Sequence, residues 1–360
     1  MDGIDILLIV ARVVVIFAML MVVTILLVWF ERKIVADMQN RVGPDRAGPW
    51  GILQTLADGM KLFFKEQITP RKVELGLYLA APVLAAIPAF MMFMVIPFGR
   101  PFTLTIGGVD RAIPLQGADL NVGLLYILAM SSVAVYAIVL AGWSSGSKYP
   151  LLGGVRATAQ AISYEAAMGL SLIPVVMWTG SLRMSEIVAA QSSPLVLFGR
   201  YQLPITTWNI LVLSPSFIIF FIAAVAETNR APFDLVEAEQ EIVGGFHTEY
   251  SGLRFALFFL AEYINIFTMS ALAVTLFLGG WAGPTAWAPD LLAAFLPTIY
   301  FLAKVAVFLF VFVWLRASLP RYRYDQLMNL GWKRLIPMAL IWLFLIGGVL
   351  AVREFGAPWS

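Results

Sequence analysis

Long apolar runs alternate with short polar segments along the whole of this 360-residue chain. Each of these runs reaches about 20 residues, the length that a helix needs to cross the hydrocarbon core of a bilayer. The pattern predicts an all-α polytopic membrane protein with about eight transmembrane helices, forming a single membrane domain over 1–360. The predicted spans lie near 4–30, 75–98, 119–141, 157–179, 208–227, 253–280, 291–315 and 334–352.

Composition supports this prediction and narrows the possible chemistry. The chain is 61% hydrophobic and 13% charged, with a mean hydropathy of +0.86, values that exclude a soluble domain. It has no cysteine and one histidine, His247, whereas iron–sulfur clusters need cysteine thiolates and haem usually needs histidine or methionine. The chain can therefore hardly carry an electron carrier of its own, and His247 is expected to be a structural hydrogen bonder.

Lysine and arginine are concentrated in alternate loops, and this asymmetry predicts the orientation of the chain. The first loop carries eight basic residues, whereas the sixth, 280–290, carries none. The odd-numbered loops are therefore expected on the cytoplasmic side, with both termini outside. The segments 98–114 and 283–289 are interpreted as outer loops only.

The first loop contains a predicted amphipathic helix at 50–66. Its apolar residues and its polar residues sort onto two faces at helical spacing, which is typical of a helix that lies in the membrane interface. Two interpretations stay open: simple anchoring, or a site at the membrane surface lined by Asp58, Lys61 and Lys65.

The fifth loop, 228–252, is unusually acidic. The stretch 227–249 holds six carboxylates and one arginine, Arg230, and it is interleaved with the turn residues of Pro232-Phe233 and Gly244-Gly245-Phe246. Glu237 and Glu241 are four apart, so on a helix they share a face and repel each other when both are ionised. The loop is interpreted as folded back onto the protein and able to hold protons near neutral pH, with an ordinary solvated acidic loop as the alternative.

Ionisable residues also occur inside the predicted spans. Glu165, Glu227 and Glu262 belong to three different helices, and Lys304 lies far from either end of the seventh span. A charge at the bilayer centre costs about 2.5–3.5 kcal/mol, so such residues usually face inward and serve a function. The three glutamates are interpreted as part of a proton path, and Lys304 either takes part or neutralises one of them.

Four long blocks of the chain resemble the quinone-chamber membrane subunit of respiratory complex I, the family of the bacterial H subunit and of mitochondrial subunit 1. The resemblance covers nearly the whole chain, and the blocks follow the order of the family. The blocks are ERKIVADMQNRVGPDRAGPWGILQTLADGMKLFFKE at 31–66, GWSSGSKYPLLGGVRATAQAISYE at 142–165, AETNRAPFDLVEAEQEIVGGFHTEYSG at 226–252 and RASLPRYRYDQLMNLGWK at 316–333.

The resemblance implies two sets of functional residues and no redox centre in this chain. The residues that it places along a quinone tunnel are Arg32, Lys33, Arg41, Asp58, Lys61, Phe233, Asp234, Arg321 and Arg323. The residues that it places along a proton path are Glu165, Glu227, Glu237, Glu239, Glu241 and Glu262.

The resemblance also implies the setting: a proton-translocating NADH:quinone oxidoreductase of the respiratory chain in the cell inner (plasma) membrane. Quinone, either ubiquinone or menaquinone, is then the substrate, and FMN and iron–sulfur clusters belong to partner subunits. The implied partners are peripheral-arm iron–sulfur and quinone-site subunits, small and antiporter-like membrane subunits, and lipid, but no nucleic acid. The alternatives are a homologous subunit of an energy-converting hydrogenase-type complex and a stand-alone proton channel.

Overall fold

The computed structural model describes residues 3–106, 109–192, 194–197, 201–235, 242–285 and 289–355. Almost all of the regular structure in these ranges is helical. In chain order the elements are α1 (Gly3–Met38), α2 (Gln54–Phe64), α3 (Leu75–Phe93), β1 (Phe102–Ile106), β2 (Val109–Ile113), α4 (Gly123–Ser144), α5 (Lys148–Thr179), α6 (Met184–Gln191), β3 (Pro194–Leu197), β4 (Tyr201–Thr206), α7 (Asn209–Val212), α8 (Ser214–Glu227), α9 (Gly252–Phe277), α10 (Asp290–Ser318), α11 (Tyr324–Leu330) and α12 (Ile336–Phe355).

Within the described ranges, seven helices are long and apolar enough to cross a membrane, with α11 and α12 joined into one by a π-helical turn at Gly331–Leu335. This confirms the prediction of an all-α polytopic membrane protein. The predicted span at 208–227 differs, because it is divided into α7 and the 14-residue α8. Pro215 lies in the first turn of α8, where its missing N–H and its ring prevent a continuous helix from running through it.

Helix α9 is the centre of the bundle. Of the residues in its most apolar stretch, 72% are buried, and the helix packs against α3, α10 and α8. Helix α5 packs against α4, α8 and α12 and forms the second buried layer. Only 11% and 17% of the residues are buried in the most apolar stretches of the outer helices α1 and α12, so most of their large apolar side chains face away from the rest of the chain.

Helix α2 is shorter than the predicted helix at 50–66. A 3-10 turn at Pro49–Gly51 precedes it, and Trp50 has a left-handed φ of 53° that interrupts helical geometry. Met60 and Phe63 on its apolar side are 54% and 65% exposed. The chain itself therefore does not cover this apolar face, although α2 does contact α1 and α9.

Two antiparallel hairpins, β1–β2 and β3–β4, lie in the connections between the described helices; β1–β2 falls within the segment 98–114 that was interpreted as an outer loop. In β1–β2, Phe102 pairs with Ile113 and Ile106 with Val109. Arg111 of β2 forms an ion pair with Asp5 at the start of α1, so this hairpin is attached to the first membrane helix. Strands of four to six residues give no membrane-length signal, so hydropathy alone does not reveal them.

Candidate functional site

A cavity of about 540 Å³ lies between helix α2 and the end of α1 that is expected on the cytoplasmic side; we call it the first-loop cavity. Arg32 donates a hydrogen bond to Asp58 across it, with 2.6 Å between Nη1 and Oδ2. Arg41 also lines the cavity, Lys61 lies 3.8 Å from Asp58, and Lys33 donates to the carbonyl of Pro44. The cavity is lined as follows: Arg32, Arg41, Gly43, Pro44, Gln54 and Asp58.

The electrostatics of this cavity are set by the pair of Asp58 and Arg32. Burial alone would raise the pKa of Asp58, but the hydrogen bond and charge of Arg32 outweigh burial and lower it below 3.8. Asp58 is therefore an anion at neutral pH. Five of the predicted tunnel residues thus lie at or beside one cavity with both acceptor and donor groups.

The other predicted tunnel residues lie in a second group, where the fifth loop meets the segment between α10 and α11. Phe233 is buried, its ring stacked on Tyr322 with centroids 5.5 Å apart and tilted against Tyr164 at 5.6 Å. The backbone N–H of Tyr322 donates to the carbonyl of Pro232, which joins the two segments. The residues of this group are Phe233, Asp234, Arg321 and Arg323. Since Phe233 is held among aromatic rings, it does not line the first-loop cavity.

Three largely buried charged residues, Glu31, Arg230 and Glu262, interact with one another and with two further side chains, the buried Tyr263 and the more exposed Arg316; we call these five residues the ion network. Arg230 lies 3.3 Å from Glu31 and 2.8 Å from Glu262, and its guanidinium stands 4.5 Å from the ring centroid of Tyr263. Tyr263 donates to Glu31 at 2.7 Å, and Arg316 also pairs with Glu31. The network therefore connects α1, the fifth loop, α9 and α10.

Arg230 is the cation at the middle of this network. Burial alone would lower the pKa of Arg230, but the carboxylates of Glu262 and Glu31 outweigh burial and raise it above its usual value. The side chain is 7% exposed, so its charge is compensated by carboxylates instead of by water. The sequence pattern drew attention to Arg230 without indicating a role, and it gave no signal for Glu31, Tyr263 or Arg316.

The turn that presents Arg230 is held by Gln160 of α5. The amide of Gln160, fully buried, donates to the carbonyl of Ala226 at 2.8 Å and to that of Phe233 at 2.9 Å. One side chain thus fixes both ends of the turn, and Asn229 supplies its left-handed residue with φ 52°. The described parts of the acidic loop are folded onto the helices in this way.

A smaller cavity, of about 70 Å³, lies inside the bundle; we call it the glutamate cavity. It is lined by Glu227 at the end of α8 and by Glu262 and Asn265 of α9, together with Ser131 and His247. A cavity of this volume, with several polar groups in an otherwise apolar wall, has room for a small number of water molecules. Two of the predicted proton-path glutamates therefore face one polar space.

Two consecutive serines of α4 contact the glutamates of the predicted path. Ser131 donates to Oε1 of Glu227 at 2.5 Å, and Ser132 donates to Glu165. Glu165 lies at the edge of the bundle and is half-buried, whereas Glu227 is enclosed. The structure thus brings together the three described glutamates of the path; Glu237, Glu239 and Glu241 lie outside the described residues.

Lys304 neutralises no glutamate through any contact seen in the described residues, so that interpretation was wrong. Its ammonium donates to the carbonyls of Leu278, Gly280 and Ala282, at 2.8 to 2.9 Å, where α9 ends. A cation at a helix C-terminus is favoured by the helix dipole and by the carbonyls that lack intrahelical partners. Lys304 therefore closes the end of α9.

His247 lies in the 3-10 turn Gly245–His247, packed against the rings of Phe246 and Phe258. Burial lowers the pKa of His247 to about 3. The imidazole is therefore neutral at physiological pH, and it contributes a polar but uncharged wall to the glutamate cavity.

Membrane-length helices that enclose Glu31, Arg230, Glu227 and Glu262 make this chain a polytopic membrane protein with charged groups inside its helix bundle. Its residues 11–347 match the model of the NADH dehydrogenase family. It is also 50% identical to an H subunit of NADH-quinone oxidoreductase, numbered 1, of Geobacter metallireducens over 351 residues, 98% of this chain and 99% of that protein. The chain therefore belongs to the NADH dehydrogenase family, that of the H subunit (subunit 1) of complex I, which confirms the resemblance.

Proposed function

We propose that this chain is the membrane subunit of a proton-translocating NADH:quinone oxidoreductase, where it lines the quinone tunnel and couples quinone reduction to proton movement. Electrons reach the quinone from iron–sulfur clusters of a peripheral-arm subunit, since this chain has no cysteine to ligate a cluster, and the resemblance assigns FMN to that arm too. Family membership supports the assignment to the complex. The tunnel and the proton path rest on contacts within the chain.

The observation that carries the proposal is the double ion pair of Arg230. One carboxylate partner, Glu31, precedes Arg32, which lines the first-loop cavity. The other partner, Glu262, lines the glutamate cavity. A single buried cation therefore joins the carboxylate next to the cavity-lining Arg32 with a carboxylate of the glutamate cavity.

The first-loop cavity has the chemistry that a quinone head group needs. The carbonyl oxygens of a quinone accept hydrogen bonds, and Arg32 and Arg41 supply permanent donors at the cavity wall. The uncovered apolar face of α2 lies beside the cavity, where an isoprenoid tail would meet lipid. Phe233, Asp234, Arg321 and Arg323 are assigned to the inner part of the same tunnel.

Coupling then follows from electrostatics. Two unit charges about 4 Å apart interact by about 4 kcal/mol at an effective dielectric of 20, enough to change a proton affinity about a thousandfold. A charge that appears on the quinone therefore alters the balance between Glu31, Arg230 and Glu262. A proton then moves among Glu262, Glu227 and Glu165, with Glu237, Glu239 and Glu241 assigned to the same path by the resemblance.

Glu165 is the point at which this path reaches the surface of the chain. It is half-buried, and its partner Ser132 is exposed on α4. Because an ionisable group facing hydrocarbon costs about 2.5–3.5 kcal/mol, this surface is expected to be covered by another membrane subunit. We assign the complex to the cell inner membrane, with the odd-numbered loops cytoplasmic and both termini outside.

The whole complex provides the direct test of this function. The chain is tagged and extracted from native membranes in mild detergent, and quinone reduction by the purified material is measured with NADH and then with hydrogen as donor. Inhibitor-sensitive NADH activity with iron–sulfur partners present is the expected result. Hydrogen-driven activity would instead indicate a hydrogenase-type complex, and a lone stable protein would indicate a proton channel.

The proton path is tested with Glu165→Gln. We expect assembly to be retained and the coupled turnover of sealed vesicles to fall, because the neutral amide cannot release a proton. Glu186→Gln is the control, since Glu186 is an exposed carboxylate on α6 paired with Arg183. Coupled turnover equal to wild type in Glu165→Gln would remove Glu165 from the path.

A further inference from the structure

One carboxyl oxygen and one amide oxygen of residues that line the glutamate cavity are buried without a hydrogen-bond partner among the described residues. They are Oε2 of Glu227 and Oδ1 of Asn265. Both are acceptors when Glu227 is ionised, and a buried acceptor without a donor is destabilising because it has lost its hydrogen bonds to water. The two oxygens therefore call for a shared donor, either water in the cavity or a proton on Glu227.

The other oxygen of Glu227 is already held. Ser131 donates to Oε1 at 2.5 Å, and the serine is itself 2% exposed, so the contact is shielded from solvent. The next residue, Ser132, bonds Glu165 instead of Glu227. Ser131 therefore orients the carboxyl of Glu227 and leaves Oε2 as the oxygen available for exchange.

Asn265 occupies the matching position on the facing helix. It lies three residues after Glu262 on α9, so the two side chains share a face of that helix, and both line the cavity. Its amide oxygen can accept a hydrogen bond from water, and its amide nitrogen can donate one. Asn265 is thus suited to hold a water molecule between Glu227 and Glu262.

We propose that Ser131 and Asn265 are positioning residues for proton exchange between Glu227 and Glu262, an inference that rests on the proposed function. Ser131 fixes Oε1 of Glu227, and Asn265 anchors the cavity water that faces Oε2. The O–H bond at Oε2 of Glu227 breaks as an O–H bond to that water forms, and a different proton leaves the water for the carboxylate of Glu262. No electron is transferred, and the water is regenerated.

The inference is tested on the intact complex in sealed vesicles. Four variants are made in two pairs: Ser131→Ala with Ser131→Thr, and Asn265→Ala with Asn265→Ser; the second member of each pair keeps a hydrogen-bonding oxygen. Ser270→Ala is the control, because Ser270 is a buried hydroxyl that bonds the carbonyl of its own helix residue Ile266. Coupled turnover and protons moved per electron are measured together with the infrared carboxyl band that Glu227→Gln removes.

In each pair we expect the alanine variant to shift the Glu227 band and to lower coupled turnover about fivefold, the effect of one lost hydrogen bond. The oxygen-retaining variants should return both quantities toward wild type, and Ser270→Ala should change neither. An unshifted band with normal coupling in both alanine variants would overturn the inference. If Glu227→Gln were at the same time defective in coupling, the proposed proton path would still hold. Normal coupling in Glu227→Gln itself would overturn both. If an alanine variant fails to assemble, the oxygen-retaining variant at the same position is measured instead. A wild-type Glu227 band in that variant supports the inference, and loss of the band with normal coupling refutes it.

Discussion

Replacing Arg230 by glutamine should destabilise the assembled complex more than the loss of any surface charge. Arg230 lies 2.8 Å from Glu262 and 3.3 Å from Glu31, and all three side chains are less than a fifth exposed. At an effective dielectric of 20 these two distances correspond to attractions of about 6 and about 5 kcal/mol. The desolvation of the charges offsets much of this sum, so the expected net cost of removing the shared partner is about 3–5 kcal/mol.

The two carboxylates are not equivalent once Arg230 is gone. Glu31 keeps its pair with Arg316 and its hydrogen bond from Tyr263. Glu262 loses its contact with Arg230, which at 2.8 Å is the shorter of the two contacts that Arg230 makes with carboxylates. The double variant of Arg230→Gln with Glu262→Gln should therefore recover more stability than the double variant of Arg230→Gln with Glu31→Gln. This order follows from the geometry of the ion network and from nothing in the charge count of the chain.

Stability is measured on purified complex as the half-life of inhibitor-sensitive NADH:quinone activity at a fixed elevated temperature, alongside the assembled fraction on a native gel. About 1.4 kcal/mol in the unfolding barrier changes this half-life tenfold, so the expected effect is large. Arg183→Gln is the control, because Arg183 pairs with carboxylates at the surface, where such pairs contribute little. A wild-type half-life in Arg230→Gln, or equal recovery in the two double variants, would refute the reasoning.

Three further predictions concern other parts of the chain. Burial lowers the pKa of His247 from 6.5 to about 3. Below pH 6.5 the unfolded chain therefore binds a proton at His247 that the folded chain does not bind, and the folded state loses stability as the pH falls. At pH 5 this loss is about 2 kcal/mol. The heat stability of the wild type should therefore fall between pH 7 and pH 5 by more than that of His247→Gln, which lacks the titrating group. Asp58→Asn should raise the KM for a short-chain quinone more than it changes kcat. Because Arg32 lowers the pKa of Asp58 against the opposing effect of burial, the ion pair of Asp58 and Arg32 in the wild type should persist down to about pH 4 and weaken only below it. Lys304→Met should shorten the thermal half-life without altering protons moved per electron, since the carbonyls at the end of α9 lose their donor; altered coupling would contradict this structural role.

The sequence alone determined the membrane architecture and the outline of the chemistry. An apolar run of membrane length is a local property, because every backbone group in a membrane helix must be satisfied within its own segment. The absence of cysteine likewise excludes an iron–sulfur cluster on composition alone, because the cluster needs thiolate ligands. The long blocks at 31–66 and 226–252 then indicated the family, and they contain most of the residues that the resemblance assigns to a tunnel and a proton path.

The pairing of charges was decided only by the tertiary structure. Glu31 and Arg230 are 199 residues apart, and Glu31 and Arg316 are 285 apart, so no periodicity relates them. Glu31 stood one residue beyond a predicted span and Arg316 one residue beyond another, positions at which charged residues usually face water. The packing of α1, α9 and α10 instead encloses Glu31 and brings the half-exposed Arg316 against it as a partner.

Lys304 gives the converse case. Its depth in an apolar span correctly marked it as needing a partner, since a buried charge without compensation is too costly to retain. Its spacing from the glutamates could not reveal that the partner is a set of backbone carbonyls at the end of a neighbouring helix. A sequence states which groups must be compensated; the three-dimensional packing of the helices decides which atoms compensate them.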